Sequence, residues 1–276
     1  MAWAQDRLAL HTWSLDTTPL ADALAAAKAG GFNALELRRI DYVRCIERGL
    51  SEADVNDLVS ACGLPVCTLG VEYGILFARG EESNRLFDVF HRSCRNAKAI
   101  GCPQLMSAPG PITGPMREAI ANLKTAADMA AAHGLELAIE FNSQHETINS
   151  VARLAELVEG ADRKNCGMLL DAYHLHRSGS PGRGFADVPG ERIIAFQYSD
   201  CAQSPVTGVK RPTDRLLPGE GVVRWGEVLG LLAEKGYRGH LSYEAPNPAL
   251  WARPPVEVAR AAAAATRRLL AGVRAP

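Results

Sequence analysis

The chain has 276 residues, of which 30 are Lys or Arg and 31 are Asp or Glu, so its formal net charge at pH 7 is −1. This near balance excludes the basic surface expected of a protein that binds nucleic acid through many phosphates. Hydrophobic residues make up 47% and charged residues 22%, which is typical of a globular protein and too apolar for intrinsic disorder. Because some single domains reach roughly 250 residues, we expect one domain over residues 1–276.

The chain has no run of about 18 apolar residues, and residues 1–6 do not begin a basic and apolar leader. We therefore expect a cytoplasmic protein with no membrane partner. The seven cysteines are odd in number, scattered and without a CxxC pair, which predicts reduced, mostly buried thiols. Nothing in the sequence decides the oligomeric state, and a homo-oligomer is compatible with it.

Apolar runs alternate with segments of helical period along the whole chain, and glycines such as Gly101 and Gly134 stand just before several of the runs. The runs predict eight strands, at residues 8–13, 34–38, 65–72, 103–108, 135–141, 166–171, 193–200 and 240–244. Helices are predicted between them, among others at 20–29, 83–99, 117–132, 150–158 and 225–234.

Eight strand and helix units in one domain are what a closed (β/α)8 TIM barrel requires. A doubly wound sheet is the lesser alternative, because its first strand usually leads into a glycine-rich phosphate loop, and here it ends in His11-Thr-Trp-Ser. The glycines and prolines of residues 178–190 leave room only for a short or degenerate helix after the sixth strand.

Functional residues of such a barrel lie at the carboxyl ends of its strands. Glu140, Asp171 and Glu244 each close an apolar run, on the fifth, sixth and eighth strands, and Gln197 lies at the matching depth of the seventh. Carboxylates that converge on one opening repel each other unless a cation neutralises them. Three carboxylates and an amide favour one hard divalent cation, Mn²⁺ or Mg²⁺, with Co²⁺ or Zn²⁺ as alternatives. An acid–base site without a metal is the other interpretation.

Three further side chains are candidates around this opening. His174 follows Asp171 by three residues, which favours a supporting or substrate-binding role. Glu146 lies on the loop after the fifth strand and could reach the pocket or simply be solvated. Arg215, before a tight turn at 216–221, could bind a substrate oxygen or form a salt bridge at the surface.

These strand ends resemble the sugar phosphate isomerase/epimerase family of xylose-isomerase-like barrels, within which the inosose (2-keto-myo-inositol) isomerase branch is most similar. The resemblance covers most of the chain and is most specific at residues 138–141, 165–174 and 214–221. It implies that Glu140, Asp171, Gln197 and Glu244 bind one metal. It also implies that His174 and Arg215 hold substrate, and that Glu146 is a substrate-contacting acid.

One position departs from the pattern, because the inosose isomerases and ketose epimerases usually carry His where this chain has Gln197. Glutamine there is similar to hydroxypyruvate isomerases and 3-dehydroshikimate dehydratases. An amide oxygen still binds a hard cation, so the metal site is expected to persist while the substrate stays open.

The expected reaction is isomerisation or epimerisation of a small sugar or polyol ketone through an enediolate stabilised by the metal. Glu140 and Glu244 are the expected proton-transfer residues, and His174 supports the developing negative charge. A dehydratase is the alternative, since the same enolate can expel a β-hydroxyl group. A sugar-binding barrel without catalysis is the third interpretation. Lys210 and Arg211 could serve a phosphate, but no glycine-rich phosphate loop is evident, so an unphosphorylated substrate is favoured.

Overall fold

A computed structural model describes residues 3–205 and 212–273 of the chain. Eight strands close into a barrel in which every neighbouring pair is parallel, and two short strands form a separate antiparallel hairpin. The strands are β1 (Leu8–His11), β2 (Ala34–Arg38), β3 (Val66–Gly70), β4 (Gln104–Ser107), β5 (Glu136–Glu140), β6 (Cys166–Asp171), β7 (Ile193–Tyr198), β8 (Asp200–Cys201), β9 (Arg215–Leu216) and β10 (Leu241–Tyr243). The predicted barrel is confirmed, with β10 as its eighth strand.

Helices surround the barrel and connect its strands. They are α1 (Leu20–Gly30), α2 (Arg39–Ile46), α3 (Glu52–Cys62), α4 (Gly80–Ala99), α5 (Met116–Ala132), α6 (Val151–Ala161), α7 (Ala172–Arg177), α8 (Trp225–Glu234), α9 (Pro248–Trp251) and α10 (Pro255–Leu270). Short 3-10 helices occupy Thr12–Leu15, Ile75–Phe77 and Gly190–Arg192. None of the helices in the described residues is both long and apolar enough to cross a membrane.

Glycines at the ends of helices turn the chain into the next strand, as expected. Gly31 ends α1 with φ of 90°, a left-handed conformation that side chains with a Cβ rarely adopt, and its N–H donates to the carbonyls of Ala27 and Lys28. The preceding Gly30 lets α1 approach α10 closely, because a Cβ there would lie 2.5 Å from the Cβ of Ala259. The first and last helices therefore pack against each other and complete the outer ring.

The segment after β6 is irregular, as the sequence predicts. α7 has six residues, and only turns and bends occupy residues 178–189 before the 3-10 helix at Gly190–Arg192. The seven cysteines are free thiols, and five of them are buried.

The barrel encloses a narrow apolar layer and polar groups above it. Met106, Ala138, Leu169 and Ala195 pack against one another inside the barrel, while the main core lies between the strands and the helices. Along β5 and β6, the side chains that face the interior continue upward from this layer to Glu140 and Asp171, at the carboxyl ends of the strands. The fold therefore presents polar groups at one end of the barrel.

Candidate functional site

The four predicted cation ligands lie together at the carboxyl end of the barrel. Glu140 and Asp171 are the last residues of β5 and β6, Glu244 directly follows β10, and Gln197 on β7 pairs in register with Asp171. Each of these residues is at most 6% exposed. Strand register thus places side chains from distant parts of the sequence in one buried cluster.

Arg215 lies inside this cluster rather than at its surface. Its Nη1 is 2.6 Å from Oδ2 of Asp171 and 2.9 Å from Oε2 of Glu244, and it also donates to the carbonyl of Glu244 at 3.1 Å. The guanidinium stacks on the ring of Tyr173, with its carbon 4.5 Å from the ring centroid. The prediction of an arginine at the mouth, or in a surface salt bridge, is therefore corrected. The hairpin of β8 and β9 carries Arg215 inward, and it is 1% exposed.

His174 also belongs to the cluster. Its Nε2 lies 3.7 Å from Oε1 of Glu140 and 3.4 Å from Nη2 of Arg215. The ring is held from the other side by Ser143, whose hydroxyl lies 2.9 Å from Nδ1. Donor atoms of Glu140, Asp171 and His174 all lie within 4.8 Å of one another, so the geometry adds an imidazole nitrogen to the donors expected from the sequence.

Glu146 is not part of the cluster. It is exposed on the loop after β5, and its carboxylate accepts no hydrogen bond from the described residues. The buried acid–base group of that loop is instead His145, which stacks on Phe77 and accepts hydrogen bonds at Nδ1 from the N–H groups of Thr147 and Ile148. His145 therefore shapes the loop, and Glu146 remains a candidate only for contact with a bound substrate. Lys210 and Arg211 lie outside the described residues.

Two site residues are absent from the sequence-based prediction. Glu36 on β2 is 2% exposed and accepts a hydrogen bond at 2.8 Å from Nε2 of Gln197. His11, at the end of β1, has its Nε2 3.4 Å from Oε1 of Glu244 and 3.9 Å from Oε1 of Glu36. The sequence does contain a signal for Glu36, because a charged residue stands between the apolar residues of a strand in Ala-Leu-Glu-Leu-Arg.

Burial shifts the protonation equilibria of this cluster. Loss of water raises the pKa of Glu140 well above its usual range, and the charges of Glu244 and Asp171 raise it further. Burial raises the pKa of Glu244 to about 7 although Arg215 opposes the shift, and it raises the pKa of Glu36 to about 8. Burial lowers the pKa of His174 to about 4, so its ring is neutral at neutral pH.

The cluster has the chemistry of a cation site. The charges of Asp171, Glu244 and Glu140 act on the guanidinium of Arg215, while the neighbouring Arg38 is paired with Asp16 and Asp41. Two buried oxygens, Oε1 of Glu140 and Oε1 of Gln197, have no hydrogen-bond partner among the described residues. Buried acceptors without a donor are unfavourable unless something else binds them. The donor set, mainly carboxylate and amide oxygen with one imidazole nitrogen, fits a divalent cation.

The protein is an α/β barrel, because eight parallel strands close into a barrel surrounded by helices. Ionisable groups cluster at the carboxyl ends of these strands, which is where the active sites of such barrels lie. Residues 24–269 match the family described as xylose isomerase-like TIM barrel. The chain belongs to this family, and the resemblance inferred from its strand ends is confirmed.

Relatives with assigned names are isomerases and dehydratases. An inosose isomerase of Halalkalibacterium halodurans is 24% identical over 245 residues, which covers 85% of this chain and 86% of that protein. A 3-dehydroshikimate dehydratase of Pseudomonas aeruginosa is 29% identical over 263 residues, 89% of this chain but 39% of that protein.

A crystal structure of the IolI protein with a bound zinc atom superimposes with a TM-score of 0.87 at 20% identity. The alignment covers 98% of this chain and 100% of that one. At this identity the likeness concerns the fold.

Proposed function

We propose that the protein is a divalent-cation-dependent isomerase or epimerase of a ketose or an inosose-type polyol ketone. The observation that carries this proposal is the pair Glu140 and Glu244, two buried carboxyl groups with raised pKa values whose charges both act on the guanidinium of Arg215. Proton transfer at a carbon next to a carbonyl requires a group that exchanges protons near neutral pH, and the pKa of Glu244, about 7, meets this requirement. The inosose isomerase similarity supports the substrate class.

In this proposal the chain's own residues move the proton and hold the substrate. One of the two glutamates removes a proton from the carbon beside the carbonyl, and the other returns a proton, which completes an epimerisation or isomerisation. The carboxyl group of Glu140 has two oxygens, so one of them can accept a proton while the other binds the cation. Arg215 and His174 provide hydrogen-bond donors for the oxygens of the resulting enediolate. A divalent cation, when bound, supplies further stabilisation of that negative charge.

The donor set supports Mn²⁺ or Mg²⁺ as the cation, because oxygens predominate among Glu140, Asp171, Gln197 and Glu244. In an alternative arrangement the imidazole of His174, beside Glu140 and Asp171, binds the cation instead of donating to the substrate, which favours Co²⁺ or Zn²⁺. The zinc atom in the IolI structure supports Zn²⁺ among these alternatives.

A dehydratase of the 3-dehydroshikimate type is the second candidate, favoured by the Pseudomonas relative that aligns with 89% of this chain. The first chemical step is the same, removal of a proton next to a carbonyl. If the carbon β to that carbonyl carries a hydroxyl group, protonation of this hydroxyl group lets it leave as water when the enolate collapses. A hydroxypyruvate isomerase is a further variant of the first candidate, supported by the glutamine at position 197.

Turnover of a panel of substrates separates these functions. The purified protein is assayed with unphosphorylated ketoses, inososes, hydroxypyruvate and 3-dehydroshikimate, each with Mn²⁺, Mg²⁺, Co²⁺ or Zn²⁺ and with a chelator. Turnover of a ketose or inosose that stops with chelator supports the isomerase, whereas ultraviolet absorbance of an aromatic product from 3-dehydroshikimate identifies the dehydratase. Turnover that is unaffected by chelation contradicts the cation dependence.

A further inference from the structure

A buried carboxyl group that is outside the proposed ligand set lies beneath the site. Glu36 stands on β2, where it pairs in register with His11 of β1 and Thr68 of β3. It is 2% exposed, and its Oε1 accepts a hydrogen bond from Nε2 of Gln197 at 2.8 Å. The two residues are 161 positions apart in the chain, so only closure of the barrel brings them together.

This hydrogen bond selects one end of the Gln197 amide. An amide has a donor end and an acceptor end, and in the structure Oε1 of Glu36 accepts from the donor end. With Nε2 bound to Glu36, the oxygen of Gln197 must point the other way, and this Oε1 is buried without a hydrogen-bond partner among the described residues. The oxygen is the end of the amide that can bind a cation.

Glu36 also lies near the imidazole ring of His11, which a backbone hydrogen bond holds in place. The backbone N–H of Trp13 donates to Nδ1 of His11 at 3.1 Å, so the neutral ring carries its proton on Nε2. That nitrogen faces Oε1 of Glu244 at 3.4 Å and Oε1 of Glu36 at 3.9 Å. One imidazole therefore lies between Glu36 and a carboxylate of the proposed ligand set.

We infer that Glu36 is a positioning residue, which holds Gln197 with its amide oxygen directed at the cation. This inference rests on the proposed cation-dependent function. General experience with protein metal sites supports it, because groups that orient the ligands typically change metal affinity by about 10- to 100-fold when they are mutated.

Isothermal titration with Mn²⁺ tests the inference on three variants and the wild-type protein. Glu36→Gln replaces the acceptor by an amide that can pair with either end of Gln197. Glu36→Asp keeps a carboxyl group but withdraws it from Gln197 by one methylene group. Glu136→Gln is the matched control, because Glu36 and Glu136 line one cavity. Glu136 is the first residue of β5 and therefore lies at the amino end of the barrel, away from the proposed ligands.

If Glu36 positions Gln197, both Glu36 variants should weaken Mn²⁺ binding by about tenfold or more, and Glu136→Gln should leave it unchanged. Weaker binding by Glu36→Gln with normal binding by Glu36→Asp would mean that the site needs a carboxyl group at this position but not its contact with Gln197, which overturns the inference. Wild-type affinity in both Glu36 variants overturns it as well. If Glu36→Gln does not fold, as judged by circular dichroism, Glu36→Asp decides between the two outcomes.

The visible spectrum of bound Co²⁺ gives a second readout, since it responds to the atoms around the ion. The bands should change in both Glu36 variants and not in Glu136→Gln; unchanged bands in both Glu36 variants contradict the inference. Failure of the proposed cation site gives a different result, because the wild-type protein itself would then bind neither Mn²⁺ nor Co²⁺.

Discussion

Replacement of Arg215 by methionine should destabilise the protein strongly in the absence of added cations. Arg215 is 1% exposed and contacts Asp171 at 2.6 Å and Glu244 at 2.9 Å, both of them buried. Methionine keeps much of the apolar stem but leaves two buried carboxylates without their positive partner. Loss of one member of a buried ion pair typically costs about 3–5 kcal/mol, a large part of the about 5–15 kcal/mol that stabilises a domain.

Equilibrium urea unfolding, followed by tryptophan fluorescence, measures this loss. Arg183→Met is the matched control, because Arg183 contacts Glu234 at 2.7 Å with about half of its side chain exposed, where solvent screens the pair. The control should unfold near the wild-type midpoint and Arg215→Met at a clearly lower urea concentration. Equal midpoints for the two variants would refute the view that Arg215 neutralises the cluster.

The same experiment with saturating Mn²⁺ examines the link between the guanidinium and the cation. Removal of Arg215 frees oxygens of Asp171 and Glu244 and makes the cluster more negative, so Mn²⁺ should stabilise Arg215→Met more than the wild-type protein. Equal stabilisation would mean that the guanidinium and the cation do not share these carboxylates.

Three more predictions concern the proposed ligands. Calorimetric titration should give about one Mn²⁺ per chain, and Glu140→Gln and Asp171→Asn should each weaken binding because each removes a negative charge; no binding by the wild-type protein refutes the site. Gln197→Leu should lose Mn²⁺ affinity, whereas Gln197→His should bind and shift its preference towards Zn²⁺; unchanged affinity in the leucine variant means that residue 197 is not a ligand. In deuterated water, the enzyme should incorporate deuterium beside the substrate carbonyl. Glu140→Gln or Glu244→Gln with metal in place should suppress this exchange far more than substrate binding, and wild-type exchange in both variants contradicts the two-base assignment.

The barrel was predictable because its determinants are local. Apolar runs, helical periods and glycines at helix ends each report a neighbouring backbone conformation, and their eightfold recurrence indicates a closed sheet. The end of the seventh strand was not predictable in this way. The predicted strand at 193–200 stops at Tyr198, and Asp200 instead begins the hairpin, where its carboxylate accepts from the N–H groups of Gly219 and Val223 and from Nε1 of Trp225. Those donors come from a distant turn that a local pattern does not reveal.

The acids at strand ends were also predictable, because Glu140, Asp171 and Glu244 each close an apolar run. The burial of Arg215 was not predictable, because it depends on the hairpin of β8 and β9 that folds back over the barrel. Glu36 and His11 were missed for a related reason. A polar residue within a short strand identifies itself as functional only when the closed barrel shows which groups it faces.

Residue 197 shows how the sequence pattern and the contacts of the closed barrel have to be interpreted together. In the family resemblance, glutamine replaces a histidine, and sequence alone suggests only that one cation ligand is exchanged for another. The structure supplies a carboxylate behind that position, and a carboxylate accepts equally from an amide N–H or from the ring N–H of a histidine. A metal-binding histidine commonly donates its second nitrogen to such a group. Glu36 can therefore serve either residue, so a change at position 197 can alter the ligand atom while its support from β2 is retained. The specificity of the site should accordingly be interpreted from β7 and β2 together, rather than from the glutamine alone.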